Sequence, residues 1–372
     1  MVINYITNLD VKEFSGGWSG MNRLVYDQLS LRFTVNLIDK INPPYFFGDR
    51  IVSKTFRIAG MEGVFPALTE NRLNYISKNI SAKINLDASF NFFHGATPWL
   101  NFASSLPYAI YLDACFATYI SVYHKGEKFN SRQLKRLYEK EAKFLANAEA
   151  AFFSSQWALD DAAKNYDVAG QNFYVAGLGG ALDVEIDSKR TKEPYFLFAG
   201  LDFSGKGGDI VVEAFEEVSK DFPSFYLKIV GQKPPEKYLL HSKIEYVGFI
   251  DKGDPEGSKK LNSLFVNAYS FILPTSRDIT PLVLVEAGSV GCPAITTNSF
   301  GIPEIVLDNE TGLLLDAKQP LREQLVKAMK EMIQNKSLHQ KLSSNSREYI
   351  RNNFTWDRTG EIICNKLLES FL

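Results

Sequence analysis

Short apolar strands alternate with helices along most of this chain, and that order limits the fold more than any other feature. Parallel strands need long crossover connections, usually helices, whereas antiparallel strands can be joined by tight turns. Six apolar runs of the first half have strand character: residues 2–7, 35–39, 89–93, 108–112, 151–154 and 172–175. A second strand–helix series runs from Tyr195 to Leu315. We therefore predict an α/β protein built on doubly wound parallel sheets.

Two domains are expected from the length of 372 residues, because a single hydrophobic core rarely serves a chain of this size. The composition changes at residues 177–193, GLGGALDVEIDSKRTKE, which are first glycine-rich and then charged. Such a segment is typical of an exposed linker. We place one domain at residues 1–180 and the second at residues 181–356.

The composition is that of an ordinary globular protein, with 45% hydrophobic residues, 23% charged residues and a formal net charge of −2. This balance gives no support for nucleic acid as a partner. The three cysteines, Cys115, Cys292 and Cys364, fit neither a metal-ligand spacing nor a disulfide framework, which favours a reducing compartment. No basic signal segment precedes the first strand, and no apolar run approaches the roughly 18 residues of a membrane span. We expect a cytoplasmic protein.

The stretch from Phe271 to Ile305 has the pattern of a strand, a polar loop, an apolar helix and a second strand. Thr280 is the expected N-cap of the helix, and Pro281 is its expected first residue. Free N–H groups and the positive end of the helix dipole make a helix start attractive to anions. The sequence therefore predicts an anion site beside Thr280.

Two carboxylates accompany this helix start. Glu286 stands on an otherwise apolar helix, where a charge without a partner would be costly to bury. Its side chain leans back toward the helix N-terminus. Asp278 lies in the loop just ahead of the helix. An anion-binding helix end with two carboxylates beside it is typical of an active site.

Two glycine-rich loops lead from a strand into a helix, where bare backbone can approach a phosphate. The first, EFSGGWSG, contains Gly16 and Gly17. The second, AGLDFSGKGG, contains Lys206 as a mobile positive charge, and it has neither the P-loop nor the GxGxxG spacing. The alternatives are a glycine turn without a ligand and a surface loop with an incidental lysine.

His94 and Asp113 each directly follow a predicted strand. Ligands of open α/β sheets bind beyond the carboxyl ends of the strands, so both residues are candidates for a site. A structural cap or a loop hydrogen bond explains either residue equally well.

Several motifs follow one another in a characteristic order. FAGLDFSGKGGDIVVEAF is a glycine loop with a KG pair, Asp278 and Glu286 are two carboxylates separated by seven residues, and EAGSVGCP and GIPEIV follow. The combination resembles the GT-B-fold, retaining nucleotide-sugar glycosyltransferases of family four, or glycosyl transferases group 1. The resemblance is strongest from Tyr195 to Thr311 and weaker in the N-terminal half.

The resemblance implies two Rossmann-like domains with the donor site in the cleft between them. Residues 1–180 would form the acceptor-side domain, joined by a crossover helix at 357–372, and residues 181–356 would bind the nucleotide sugar. The positions implied to bind the donor are Gly16, Gly17, Gly248, Phe249, Thr280, Pro281, Leu282 and Glu286. The positions implied in catalysis are Asp278, Lys206, Asp113 and His94.

The implied roles divide the donor into its parts. The two glycines of the first loop would face the diphosphate, which Lys206 would neutralise as it leaves. The backbone at Thr280–Leu282 would cradle the terminal phosphate. Glu286 would hold the ribose hydroxyls, and the Gly248–Phe249 pair would border the base. Asp278 would lie near the transferred sugar, and the two residues that follow strands would contact the sugar or the acceptor.

Three positions depart from the family's pattern. Leu201 stands where the family commonly has an arginine, so one of two diphosphate cations is missing; Arg277 and Arg190 are the candidate substitutes. Asp278 stands where glutamate is usual and is one methylene shorter. Asp113 stands where histidine is common.

We predict a retaining glycosyltransferase that needs neither a metal nor a cofactor and moves a sugar to a glycan, lipid-linked or small-molecule acceptor. The alternatives are a non-catalytic nucleotide-sugar-binding protein and a GT-B epimerase or phosphorylase. The sequence leaves open the base, the sugar, the acceptor, the oligomeric state and peripheral contact with the inner face of a membrane.

Overall fold

The computed structural model describes residues 1–13, 17–45, 62–168, 172–180 and 193–371, with the side chains of residues 17 and 19 left aside. Within these ranges the chain divides into two compact units. Unit 1 comprises Met1–Glu13, Met21–Gly177 and Thr359–Leu372, and unit 2 comprises Phe14–Gly20 and Leu178–Arg358. The domains predicted from the sequence remain a prediction, because compactness alone does not show that either unit folds by itself.

Unit 1 is built on a six-stranded parallel sheet with the order β2-β1-β3-β4-β5-β6. Its strands are β1 (Val2–Ile6), β2 (Thr34–Ile38), β3 (Phe90–His94), β4 (Tyr108–Leu112), β5 (Ala150–Phe153) and β6 (Phe173–Val175). The accompanying helices are α1 (Gly17–Ser30), α2 (Glu70–Ser81), α3 (Phe116–Tyr123), α4 (Ser131–Ala146) and α5 (Gln156–Tyr166). The strand order reverses between β1 and β3, and such a reversal opens a crevice at the carboxyl ends of the strands.

Unit 2 repeats this plan with the order β12-β11-β10-β7-β8-β9, again entirely parallel. Its strands are β7 (Tyr195–Gly200), β8 (Tyr226–Gly231), β9 (Ile244–Gly248), β10 (Ser270–Leu273), β11 (Ala294–Thr297) and β12 (Gly312–Leu315). Its helices are α6 (Gly208–Asp221), α7 (Pro255–Asn267), α8 (Leu282–Ser289), α9 (Ile302–Ile305), α10 (Leu321–Gln334) and α11 (Lys336–Asn353). Here the order reverses between β7 and β10. The predicted doubly wound parallel sheets are confirmed.

The last helix, α12 (Trp356–Phe371), returns the chain to unit 1 from Thr359 onward. Leu367 of this helix is fully buried, and the ring of Phe371 stacks on Phe90 of β3 with 4.2 Å between the centroids. All five residues of β3 are buried, as in a parallel strand covered on both faces. Helix α12 therefore completes a core whose strands lie much earlier in the sequence.

Some elements differ from the sequence predictions. Helix α8 starts at Leu282 with Pro281 as its N-cap residue, so the prediction of Thr280 as the cap and Pro281 as the first helical residue was wrong by one position. Helices α2, α3 and α7 were not predicted. The sequence of α3, FATYISVY, is rich in β-branched and aromatic residues that favour strands, and contacts in the folded chain override that preference.

Candidate functional site

The Lys206 loop joins β7 to α6 in unit 2. Gly207 is the N-cap residue of α6 with φ +80°, and a Cβ atom there would lie 2.5 Å from the carbonyl oxygen of Pro274. A Cβ atom on Gly200 would lie 2.6 Å from Cδ of Lys206. The aliphatic part of the Lys206 side chain therefore packs on the backbone of Gly200. Gly207 lets the loop approach the end of β10.

Lys206 and Asp278 form an ion pair, with 2.7 Å between Nζ and Oδ1. The two side chains are 22% and 18% exposed, so the pair is accessible from solvent but mostly enclosed. The sequence predicted both residues for the site without predicting that they meet. Their contact brings the loop after β7 and the loop after β10 together at the reversal of the strand order.

Thr275 holds the carboxylate of this ion pair in place. Its hydroxyl donates to Oδ2 of Asp278 at 2.8 Å and accepts from the backbone N–H groups of Arg277 and Asp278 at 3.2 and 3.3 Å. The Thr275 side chain is fully buried. Nothing in the sequence singled out this residue, although a threonine hydroxyl commonly stabilises a turn by bonding the backbone two residues on.

Leu201 lies in the loop that contains Lys206 and contributes no charge there. It is 55% exposed. Arg277, one candidate to replace a cation there, lies 3.5 Å from Oδ2 of Asp202 and is half-exposed. Arg190, the other candidate, lies outside the described residues. The structure thus places Arg277 beside the Lys206 loop but paired with a carboxylate.

Glu286 is the fifth residue of α8, and its side chain is fully buried. Nζ of Lys252 lies 2.6 Å from each of its two carboxylate oxygens. Lys252 comes from the loop after β9 and is 26% exposed. A buried carboxylate requires a partner, and this lysine provides it. The sequence indicated that Glu286 needs a partner but did not identify Lys252. The one hint was that Lys252 lies four positions after Gly248, a predicted donor-binding residue.

The start of α8 and the end of β9 carry the other predicted donor positions of unit 2. Thr280 is buried ahead of Pro281 and Leu282, and the first N–H groups of any helix lack an acceptor within the helix. Gly248 has φ +104° with open space where a side chain would be, and Phe249 beside it is 58% exposed. The helix start offers donors to an anion, and the exposed ring offers an apolar face to a flat group.

In unit 1, His94 ends β3 and Asp113 follows the neighbouring β4. His94 is fully buried, and this burial lowers the pKa of its imidazole to about 3. The ring is therefore neutral and in this conformation is not exposed to a ligand. Asp113 is partly exposed, and desolvation raises its pKa to about 7, although its own N–H and that of Ala114 act in the opposite direction. Its carboxyl can hold or release a proton near neutral pH.

A buried carboxyl, that of Glu141, supports the helix that follows Asp113. Oε2 of Glu141 accepts from the backbone N–H of Phe116 at 2.7 Å, at the start of α3, and also from the hydroxyl of Tyr166. Burial raises the pKa of Glu141 to about 7. Glu141 thus anchors the helix that begins three residues after Asp113.

Residues 183–349 match the family model for glycosyl transferases group 1. This chain carries a group 1 glycosyl transferase domain. An uncharacterized glycosyltransferase of Methanocaldococcus jannaschii is 26% identical to the chain over 171 residues, which cover 44% of either protein. The chain thus matches less than half of the length of this relative.

Two solved structures show that the fold around the group 1 domain is GT-B, as predicted. Sucrose-phosphate synthase from Thermosynechococcus elongatus has a TM-score of 0.73 at 15% identity and covers 100% of this chain and 98% of its own. HepE from Anabaena, in complex with UDP, has a TM-score of 0.68 at 14% identity and covers 99% and 100%. At these identities the likeness establishes the fold alone.

The remaining predictions about the site stay predictions. Gly16 lies outside the described residues, and Gly17 is the first residue of α1. Among the described residues no three His, Cys, Asp or Glu side chains are grouped to hold a metal ion, and metal independence is still a prediction. None of the helices in the described ranges is long and apolar enough to cross a membrane.

Proposed function

We propose that this protein transfers a sugar from a nucleoside diphosphate sugar to an acceptor hydroxyl with retention of anomeric configuration. The observation that carries the proposal is the ion pair of Lys206 and Asp278. It places one mobile cation and one carboxylate within a group 1 domain, next to the start of α8. The complex of HepE with UDP supports a uridine nucleotide as the first donor to test.

The chemical problem is the charge that develops on the diphosphate as the sugar–oxygen bond breaks. Lys206 turns from Asp278 to the leaving phosphate, and the N–H groups at the start of α8 hold its oxygens; donors fixed in advance at a developing charge are effective stabilisers. The acceptor oxygen attacks the anomeric carbon from the face that the phosphate leaves. The acceptor proton passes to the departing phosphate oxygen, so charge and protons balance without a metal.

Glu286 and Phe249 position the nucleoside in this scheme. The two oxygens of Glu286 accept hydrogen bonds from the ribose hydroxyls, and the exposed ring of Phe249 lies against the base. Asp278, freed from Lys206, accepts from hydroxyls of the transferred sugar. Thr275 keeps Asp278 oriented throughout, because its hydroxyl binds Oδ2 rather than the oxygen that Lys206 releases.

The proposal is tested by ligand-dependent thermal stability followed by activity. UDP-, GDP- and ADP-sugars are screened for a rise in the unfolding temperature, and donor hydrolysis and transfer are then measured with the nucleotide that binds. Lys206→Ala and Glu286→Ala should each lower turnover by at least 100-fold, whereas Lys259→Ala, at an exposed position of α7, should not. Unchanged transfer in the first two variants would overturn the proposal.

A second function, nucleotide-sugar binding without catalysis, is favoured by one observation. Leu201 is apolar and exposed beside the proposed diphosphate site, and Arg277 is paired with Asp202. A protein with this function stabilises on donor addition but shows neither transfer nor slow hydrolysis with any acceptor. Detectable hydrolysis that depends on Lys206 rules it out.

A further inference from the structure

Lys252 forms an ion pair with Glu286, and the mechanism proposed above gives this lysine no role. We propose that Lys252 binds the diphosphate of the donor, as a second cation beside Lys206. The inference rests on the proposed function, since it concerns the same donor. In the ligand-free protein the lysine neutralises the carboxylate that is proposed to hold the ribose, with 2.6 Å to both oxygens.

Competition for the Glu286 oxygens explains how this lysine can turn to the donor. An ammonium group has three N–H donors, and the two Glu286 contacts use two of them. A ribose brings two hydroxyls that donate to the same two carboxylate oxygens. When the hydroxyls compete for these oxygens, Lys252 keeps its full charge and has donors available for another acceptor. Because its side chain is only 26% exposed, water does not fully solvate it, and a phosphate oxygen is the best available acceptor.

Position along α8 brings Lys252 within reach of that phosphate. Glu286 is four residues beyond Leu282, about 6 Å along the helix axis at 1.5 Å per residue. Its side chain leans back toward the helix start, which reduces the separation. The lysine at the carboxylate therefore lies about one helical turn from the N–H groups proposed to hold the diphosphate. The ribose is itself bonded to the nearer of the two phosphates.

The ion pairs of the described residues favour Lys206 and Lys252, rather than Lys206 and Arg277, as the two cations that bind the diphosphate. Lys206 and Lys252 are both paired with carboxylates that the sugar and ribose hydroxyls engage. Donor binding thus frees both lysines at once. Asp202, the partner of Arg277, has no proposed contact with the donor, so that arginine is not released in the same way.

The test separates charge at the phosphates from support of Glu286. Calorimetric affinities are measured for a nucleoside diphosphate that binds the wild-type chain and for the matching nucleoside, first UDP and uridine. Lys252→Met should weaken UDP at least 10-fold while uridine changes less than 2-fold, and Lys252→Arg should retain most of the UDP affinity. Lys259→Met, an exposed lysine of the same unit, should change neither.

Three results would overturn the inference. Equal weakening of UDP and uridine in Lys252→Met shows that the lysine acts only through Glu286. Unchanged UDP affinity shows that it does not contact the diphosphate while leaving the proposed function intact. No binding of any nucleoside diphosphate to the wild-type chain defeats both proposals. If Lys252→Met does not fold, Lys252→Gln gives the same comparison, because it keeps a hydrogen bond to Glu286 without the charge.

Discussion

Asp278 neutralises Lys206 in the ligand-free protein and so competes with the diphosphate for it. The pair is mostly enclosed, and an opposite charge at 2.7 Å is a strong competitor even in a partly solvated site. The same carboxylate is proposed to bind the transferred sugar. It therefore weakens the binding of a bare nucleotide while aiding the reaction of a whole donor.

Asp278→Asn should separate these two effects. Removing the negative charge leaves Lys206 uncommitted, so UDP affinity should rise about threefold or more, whereas transfer should fall at least 10-fold because the sugar loses an acceptor. Calorimetry with UDP and turnover with the intact donor give the two values. Glu256→Gln, which alters an exposed carboxylate of the same unit, should leave both nearly unchanged. A fall in both values for Asp278→Asn would contradict the competition.

The sequence singled out individual residues of the candidate site, whereas the pairings between them came only from the structure. Lys206, Asp278 and Glu286 stood out because charges in glycine loops or on apolar helices need an explanation. Lys252 and Thr275 did not stand out, since a lysine or threonine in a polar loop is ordinary. Their importance arises only from what the fold places against them.

The β7–α6 loop depends on glycine at one position more than at others. Gly207 combines φ +80° with a backbone carbonyl at 2.5 Å from any added Cβ atom, whereas Gly126 has φ +87° and open space around it. Gly207→Ala should therefore lower the free energy of unfolding by about 3 kcal/mol or more, and Gly126→Ala by only the 1–2 kcal/mol of a left-handed alanine. Denaturant unfolding measures both. Equal losses of unfolding free energy in the two variants would show that the loop shifts and removes the close contact between the added Cβ atom and Pro274.

The stability of the protein should depend on pH through Glu141, which accepts a hydrogen bond at the start of α3. Burial raises its pKa from 4.5 to about 7, so between these values the native state holds a proton that the unfolded state has lost. The free energy of unfolding therefore falls as pH rises through this window, by at most about 1.4 kcal/mol per pH unit for one proton.

Glu141→Gln mimics the protonated side chain and should make this fall with pH shallower. Urea unfolding at pH 5 and pH 8 gives the difference for each protein. Asp113, whose pKa is also raised to about 7 by burial, should keep part of the slope in the variant. Glu139→Gln on the exposed side of α4 should match the wild type. A variant slope equal to that of the wild type would mean that Glu141 is ionised in the native state.

Elements with a clear period and clear ends could be predicted, and those without them could not. The inner strands of both sheets, such as β3, β5 and β10, are short runs buried on both faces, which makes them conspicuous in the sequence. Helix α7 has Asp254 as a cap, which accepts from the N–H of Gly257 at 2.9 Å, followed by Pro255. These signals were present, but Gly257 and the polar residues inside the helix obscured the apolar face.

At the scale of the whole molecule, α12 is an integral part of unit 1 despite its distance along the chain. Leu367→Ala should lower the free energy of unfolding of this unit by about 2–5 kcal/mol, because it empties a fully buried site. Leu240→Ala, at a position that is 86% exposed, should be nearly neutral. Limited proteolysis during denaturant unfolding identifies the unit that opens first. Early opening of unit 2 in Leu367→Ala would contradict this assignment.

The alternation of strands and helices predicted the two parallel sheets. The family resemblance predicted that the C-terminal segment returns to the first domain. Neither source could supply the contacts that make the return stable. The stacking of Phe371 on Phe90 joins positions 281 residues apart, and nothing local in either segment indicates the other. Contacts of that kind come from the three-dimensional arrangement alone.

The return of the chain also determines the order in which the protein matures on the ribosome. The described strands of unit 1 are synthesised before any strand of unit 2, yet residues 359–371 are synthesised after the whole of unit 2. Unit 2 has its entire sequence available while unit 1 still lacks a helix over the apolar surface around Phe90. Domains fold as units once their chain has emerged. Unit 1 is therefore begun before unit 2 but completed after it, and the sheet around Phe90 stays uncovered in the interval.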